Sequence, residues 1–131
     1  MHWVGWPWDR VIIIFTGLAF LMIWIQVTLF HYRQNFRNWI MWVPVAALPL
    51  LGVFAVLIGF YNLPSFRYIW VALLTAGALA GLTGFILHFE GVGERVDGYR
   101  IHNFLVGPPV VLPLMVTAMS VLGIIALYWR W

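Results

Sequence analysis

Gly77-Ala-Leu-Ala-Gly81-Leu-Thr-Gly84-Phe-Ile-Leu-His88-Phe-Glu90 closes an apolar run that begins near Tyr68. Read as a helix, Gly77, Gly81, Gly84 and His88 follow one another at intervals of four, three and four residues, which places them on one face with the histidine at its end. A run of about twenty apolar residues ending in an ionisable pair is the signature of a membrane span. The step from Gly77 to Gly81 is a GxxxG, for which close helix packing is the default reading.

Outward from this stretch the same pattern recurs. Of the 131 residues 64% are apolar and 8% charged, against about a quarter charged in ordinary soluble domains. The predicted fold is an all-α integral membrane protein in one domain, residues 1–131. It has an interfacial N-terminus (1–9), spans at about 10–31, 39–61, 68–88 and 108–129, and a polar loop at 90–103. The first apolar run is too long for the core of a signal peptide and reads as a retained span. Tryptophans at 3, 6, 8, 39, 42, 70, 129 and 131 flank the runs, as headgroup-level collars do, with Trp24 alone in mid-span. The absence of cysteine removes disulfides, thiolate metal sites and dithiol chemistry. A net charge of +3, all of its basic residues being arginines spread along the chain, gives no basis for nucleic-acid binding.

Within the spans, Gln26 is the one strongly polar residue of the first and is expected to face the bundle. Pro44 and Pro49 make the entry half of the second irregular, because an interior proline frees a backbone carbonyl that must find a partner. The loop after His88 holds Glu90, Glu94 and Asp97, and its glycines allow a small surface hairpin. With four crossings, Arg33, Arg37, Arg95 and Arg100 lie on one side and Arg10, Arg67 and Arg130 on the other. The excess of one arginine points the histidine side to the cytoplasm.

The two halves of the chain match. Asn38-Trp-Ile-Met-Trp-Val-Pro44-Val-Ala-Ala-Leu48-Pro49-Leu50 parallels Asn103-Phe-Leu-Val-Gly-Pro108-Pro109-Val-Val-Leu112-Pro113-Leu114, and His31-Tyr32-Arg33 parallels His88-Phe89-Glu90. We read two tandem similar hairpins inserted the same way round. That relation sets His31 and His88 at equal depth, with His102 and Glu90 expected at the same mouth.

Histidines so placed suit a haem b ligated by His31 and His88, with Gly77, Gly81 and Gly84 as a bed for the macrocycle and Arg33, Arg37 and Arg100 for its propionates. A divalent metal on His31, His88, His102 and Glu90 is the non-haem variant, and a quinone hydrogen-bonded to a histidine is a third occupant. The expected function is therefore a small membrane subunit of a redox system. A cofactor-free anchor or accessory subunit of a larger complex is the alternative, and a small-solute or ion transporter stands third, since the spans lack mid-depth charges. No nucleophile stands in recognisable relation to a base, so no catalytic constellation is assigned. Lipid is the expected surrounding, and the GxxxG favours a homo-oligomer or a larger membrane complex.

His31-Tyr-Arg33, His88 with the glycine loop after it, and Asn103-Phe-Leu-Val-Gly-Pro-Pro109 with Pro113-Leu resemble a group of small bacterial four-helix membrane proteins of uncharacterised activity. The resemblance implies a bacterial cytoplasmic membrane and adds no mechanism. The cysteine pairs of quinone-linked disulfide enzymes, the mid-helix glutamate of small multidrug exporters and the mid-helix histidine pairs of larger dihaem cytochromes are all missing from this chain.

Overall fold

The computed structural model describes residues 2–129; Arg130 and Trp131, assigned above to the terminus side, lie outside the described residues. The chain is all-helical, with no strand among those residues. Helix α1 (Trp8–Arg33) is followed by one 3₁₀ turn over Trp39–Met41, then α2 (Trp42–Tyr61), α3 (Pro64–Arg95), the short α4 (Ile101–Val106) and α5 (Val111–Tyr128). Four helices, α1, α2 with its 3₁₀ entry, α3 and α5, are long and apolar enough to cross a membrane, making this an integral multi-pass membrane protein.

Local chemistry sets the ends. The 3₁₀ turn starts where the Asn38 side chain accepts from the Ile40 N–H at 3.1 Å, and α2 stops where Asn62 takes a left-handed conformation (φ 46°), which Asn tolerates better than most residues. Helix α3 opens with Pro64 in its first position, where a missing N–H costs nothing.

The helices form a ring in which α1 packs along α2 and α3 along α5, while α1–α5 and α2–α3 contacts close it. Helices α1 and α3 are therefore diagonal partners. The core runs along the axis and includes Ile13, Phe20, Ile23, Leu48, Leu51, Ile58, Trp70 and Leu74. Two close approaches hold the hairpins. A Cβ on Gly17 would fall 2.6 Å from Ala55 Cβ, so α1 and α2 meet at a pair of small residues. In the other hairpin Gly81 leaves room for Thr117, whose hydroxyl donates to the Ala78 carbonyl at 2.9 Å.

Three expectations are corrected. Helix α3 does not end at residue 88: it continues through Glu90-Gly-Val-Gly-Glu to Arg95, and the rest of the polar segment is a turn and α4 rather than a hairpin. Stacking of Phe89 on Tyr99 (4.9 Å) and of Phe104 against Phe89 (5.6 Å) folds α4 back on the extension, and Val92 beneath is fully buried. Trp70 is no collar residue either, being completely buried with its indole donating to the Leu51 carbonyl at 2.9 Å. Gln26 is exposed on the outer face of α1 instead of facing the bundle.

The N-terminal lead-in is also more than an interfacial segment. Trp3 Nε1 donates to the Ile58 carbonyl at 2.7 Å and Arg10 Nε to the Gly59 carbonyl at 2.8 Å. Both are last-turn carbonyls of α2; that of Ile58 also accepts from the Asn62 N–H at 2.9 Å, and a cation there faces the negative end of the helix dipole. Arg10 further donates to the Gly5 carbonyl and lies 3.8 Å over the Trp6 ring.

Candidate functional site

At the other end of the bundle the last turns of α1 and the matching level of α3 bring His31 and His88 together. Their ring centroids are 6.4 Å apart at an interplanar angle of 65°. Since α1 and α3 are diagonal, the two rings meet across the bundle axis, between the entry segments of α2 and α5. The meeting of the two rings is in keeping with the parallel hairpins read from the sequence.

Each imidazole is anchored by the chain that follows it. His31 Nδ1 lies 2.8 Å from the Met41 carbonyl oxygen and His88 Nδ1 lies 2.8 Å from that of Pro109. A carbonyl only accepts, so Nδ1 carries the hydrogen in both rings, and in the neutral tautomer Nε2 is left as a lone-pair nitrogen. His31 is 8% exposed and also touches the edge of Phe36; Phe36 in turn stacks on Trp42 at 3.9 Å. His88 is half-buried. The pair thus combines one sheltered and one more open imidazole, each held in orientation through its Nδ1.

The remaining predicted ligands are not gathered there. Among the described residues no group of three or more His, Asp or Glu is placed to hold a metal ion. The His31, His88, His102 and Glu90 set is therefore not assembled: Glu90 and His102 are exposed, the latter on α4, whose aromatic residue Phe104 is drawn toward the α3 extension. Nor do Gly77, Gly81 and Gly84 form an open bed. A Cβ on Gly77 would meet Ser120 Oγ at 3.0 Å and Leu51 Cδ1 at 3.1 Å, one on Gly81 the Pro113 carbonyl at 2.6 Å, and one on Gly84 the Pro113 Cβ at 3.1 Å. The glycine face is a seam filled by α5 and Leu51, in keeping with the packing role of such spacings. Of the arginines, Arg37 donates to Gln34 Oε1 at 2.9 Å, while Arg33, the last residue of α1, and Arg100, past the end of α3, are exposed.

The carbonyl bonds link the site to the prolines. Pro49 has no N–H for the Val45 carbonyl four residues earlier, and Trp24 Nε1 donates to that oxygen at 2.9 Å. The carbonyl four residues before Pro113 is that of Pro109, the one capped by His88. In each hairpin an aromatic N–H from the preceding helix thus caps the carbonyl four residues before the Leu-Pro-Leu proline. The sequence signal was present in the spacing of the two prolines, but the identity of the donors was not.

No protein-family model matches the chain, and no curated protein or solved structure is significantly similar to it.

Proposed function

We propose that the chain is a small membrane subunit of a redox system in which His31 and His88 hold an imidazole-ligated centre, a haem iron or another transition metal. The single observation behind this reading is the facing of two imidazoles, 6.4 Å apart, each with Nδ1 spent on a backbone carbonyl. Metal-ligating histidines characteristically donate their other ring nitrogen to a carbonyl or carboxylate, which fixes the tautomer and leaves the second nitrogen for the metal. Imidazole suits iron, copper and zinc, and without a thiolate or a gathered carboxylate the donor set is nitrogen only. A quinol is the organic occupant compatible with the same atoms, because a neutral Nε2 accepts a hydroxyl hydrogen. The bacterial cytoplasmic membrane belongs to this proposal through the sequence resemblance, and the histidine end on the cytoplasmic side through the arginine bias.

The test is an absorption spectrum of the detergent-purified protein, oxidised and dithionite-reduced, with metal analysis of the same sample. The proposal expects a haem band or stoichiometric metal that is lost in both His31→Ala and His88→Ala. A featureless, metal-free sample would leave the second reading, a cofactor-free anchor or accessory subunit of a larger complex. One observation favours that alternative: the same carbonyl bonds give both histidines a structural task, pinning the entry segments of α2 and α5.

A further inference from the structure

At the end of the bundle opposite the histidines, a cleft of about 150 Å³ opens between the start of α3 and the end of α5, lined by Pro64, Arg67, Tyr68, Val71, Leu127 and Tyr128. The two arginines described at this end are in contrasting states. Arg10 donates to two carbonyls and covers an indole. Arg67 has the Trp3 ring beneath it at 5.5 Å, but its buried Nε has no hydrogen-bond partner among the described residues, and no acidic side chain is paired with it there. A guanidinium offers five N–H donors and cannot shed its charge; with its Nε enclosed, the uncompensated charge and remaining donors of Arg67 belong to the cleft that it lines, and an anion to match them has to come from outside the protein.

From this cleft we infer that Arg67 holds the phosphate of an anionic phospholipid, whose chain lies along Val71 and Leu127. Three features favour a lipid over a free anion. Arg67 is at the mouth of a span, where headgroup phosphates lie. Val71, one helical turn deeper, and Leu127 extend the cleft as an apolar wall toward the hydrocarbon, which inorganic phosphate would not use. Tyr68 and Tyr128, both exposed, flank the opening with hydroxyls able to donate to phosphate or glycerol oxygens. The start of α3, with no side-chain cap at Leu63, adds the positive end of its dipole to the same place.

Lipid phosphorus retained per chain after exhaustive detergent washing reads the site directly, and thermal unfolding with added phosphatidylglycerol, phosphatidylcholine or inorganic phosphate reads its selectivity. Wild type is expected to retain lipid and to be stabilised most by phosphatidylglycerol. Arg67→Gln is expected to lower retention about fivefold, the scale of one arginine at a charged membrane surface, and Val71→Trp, which fills the cleft and spares the arginine, to lower it likewise. Arg10→Gln is expected to unfold at lower temperature while keeping its lipid, which separates loss of stability from loss of the site. Wild-type retention in both Arg67→Gln and Val71→Trp would overturn the inference, and full stabilisation by inorganic phosphate alone would reduce the site to one for a free anion.

Discussion

The indole of Trp24 donates to the Val45 carbonyl across the α1–α2 interface, at the one oxygen that Pro49 deprives of its helical donor. A proline and a tryptophan on different helices are thereby coupled. Trp24→Phe keeps most of the ring and removes the donor, which is expected to cost about 1–3 kcal/mol, the range for stranding a buried acceptor. In the Pro49→Ala background the helix supplies its own N–H, so the same change is expected to cost clearly less. A double-mutant cycle by reversible unfolding in detergent checks this, and additive effects would contradict the coupling.

Gly81 and Gly84 lie one turn apart on the same seam but are not equivalent. A methyl at Gly81 would strike the Thr117 side chain and the Pro113 carbonyl, whereas one at Gly84 meets only the edge of the Pro113 ring. Gly81→Ala is expected to separate α3 from α5 at a cost of about 2 kcal/mol or more, and Gly84→Ala to stay within about 1 kcal/mol. Melting temperatures of the two variants, side by side, decide this; equal effects would mean that the seam is looser than its geometry implies.

His31 and His88 make the same bond but differ in burial. Removal of the more buried ring takes one partner from the Met41 carbonyl and leaves a cavity among protein atoms, so His31→Ala is expected to lose about 2 kcal/mol, and His88→Ala about 1 kcal/mol because lipid headgroups or water can reach the Pro109 carbonyl. Chemical denaturation of the two variants in the absence of added cofactor measures the difference, and a larger loss for His88→Ala would reverse this ranking.

Gln26 points away from its own bundle and its side chain makes no hydrogen bond among the described residues. Helical side chains tilt toward the N-terminus, so this amide, placed near the C-terminal end of α1, leans deeper into the membrane and not toward its nearer surface. Gln26→Leu is expected to leave the fold intact and to raise stability in lipid, since an unpaired amide in hydrocarbon is costly. Unfolding in bilayer mimetics tests it, and a destabilised variant would reveal a polar partner for this face.

The number and polarity of the spans were legible because apolar length speaks directly to bilayer thickness. The meeting of His31 and His88 was legible through the matched hairpins. Which way a side chain faces was harder to read. Helix α1 is apolar nearly all round, so the phase of its packing face is not written in its pattern, and Gln26 was misdirected for that reason. An indole near a span end is equally suited to a collar and to a core, and only packing against α2 distinguishes Trp70 from Trp39. Gly91 and Gly93 looked like breakers of α3, yet each sits under a neighbouring ring, Pro108 or Tyr99, so the absent side chains serve contact and not flexibility. The metal cluster failed because sequence proximity of His88 and Glu90 says nothing of direction on a helix.

The uninterrupted course of α3 also decides from where the histidine pair can be reached. At 1.5 Å per residue the helix is about 48 Å long, and His88 stands about 36 Å from its first residue, past the roughly 30 Å of hydrocarbon. Counted from Pro64, that length is enough to bring the pair to the headgroup level of one leaflet. Below it, no Asp, Glu, Lys, Arg or His interrupts residues 11–30, 43–60, 69–87 or 112–127. On the function proposed above, a proton or metal ion would reach Nε2 from the aqueous phase beside that end of the bundle, without crossing the apolar length of the spans.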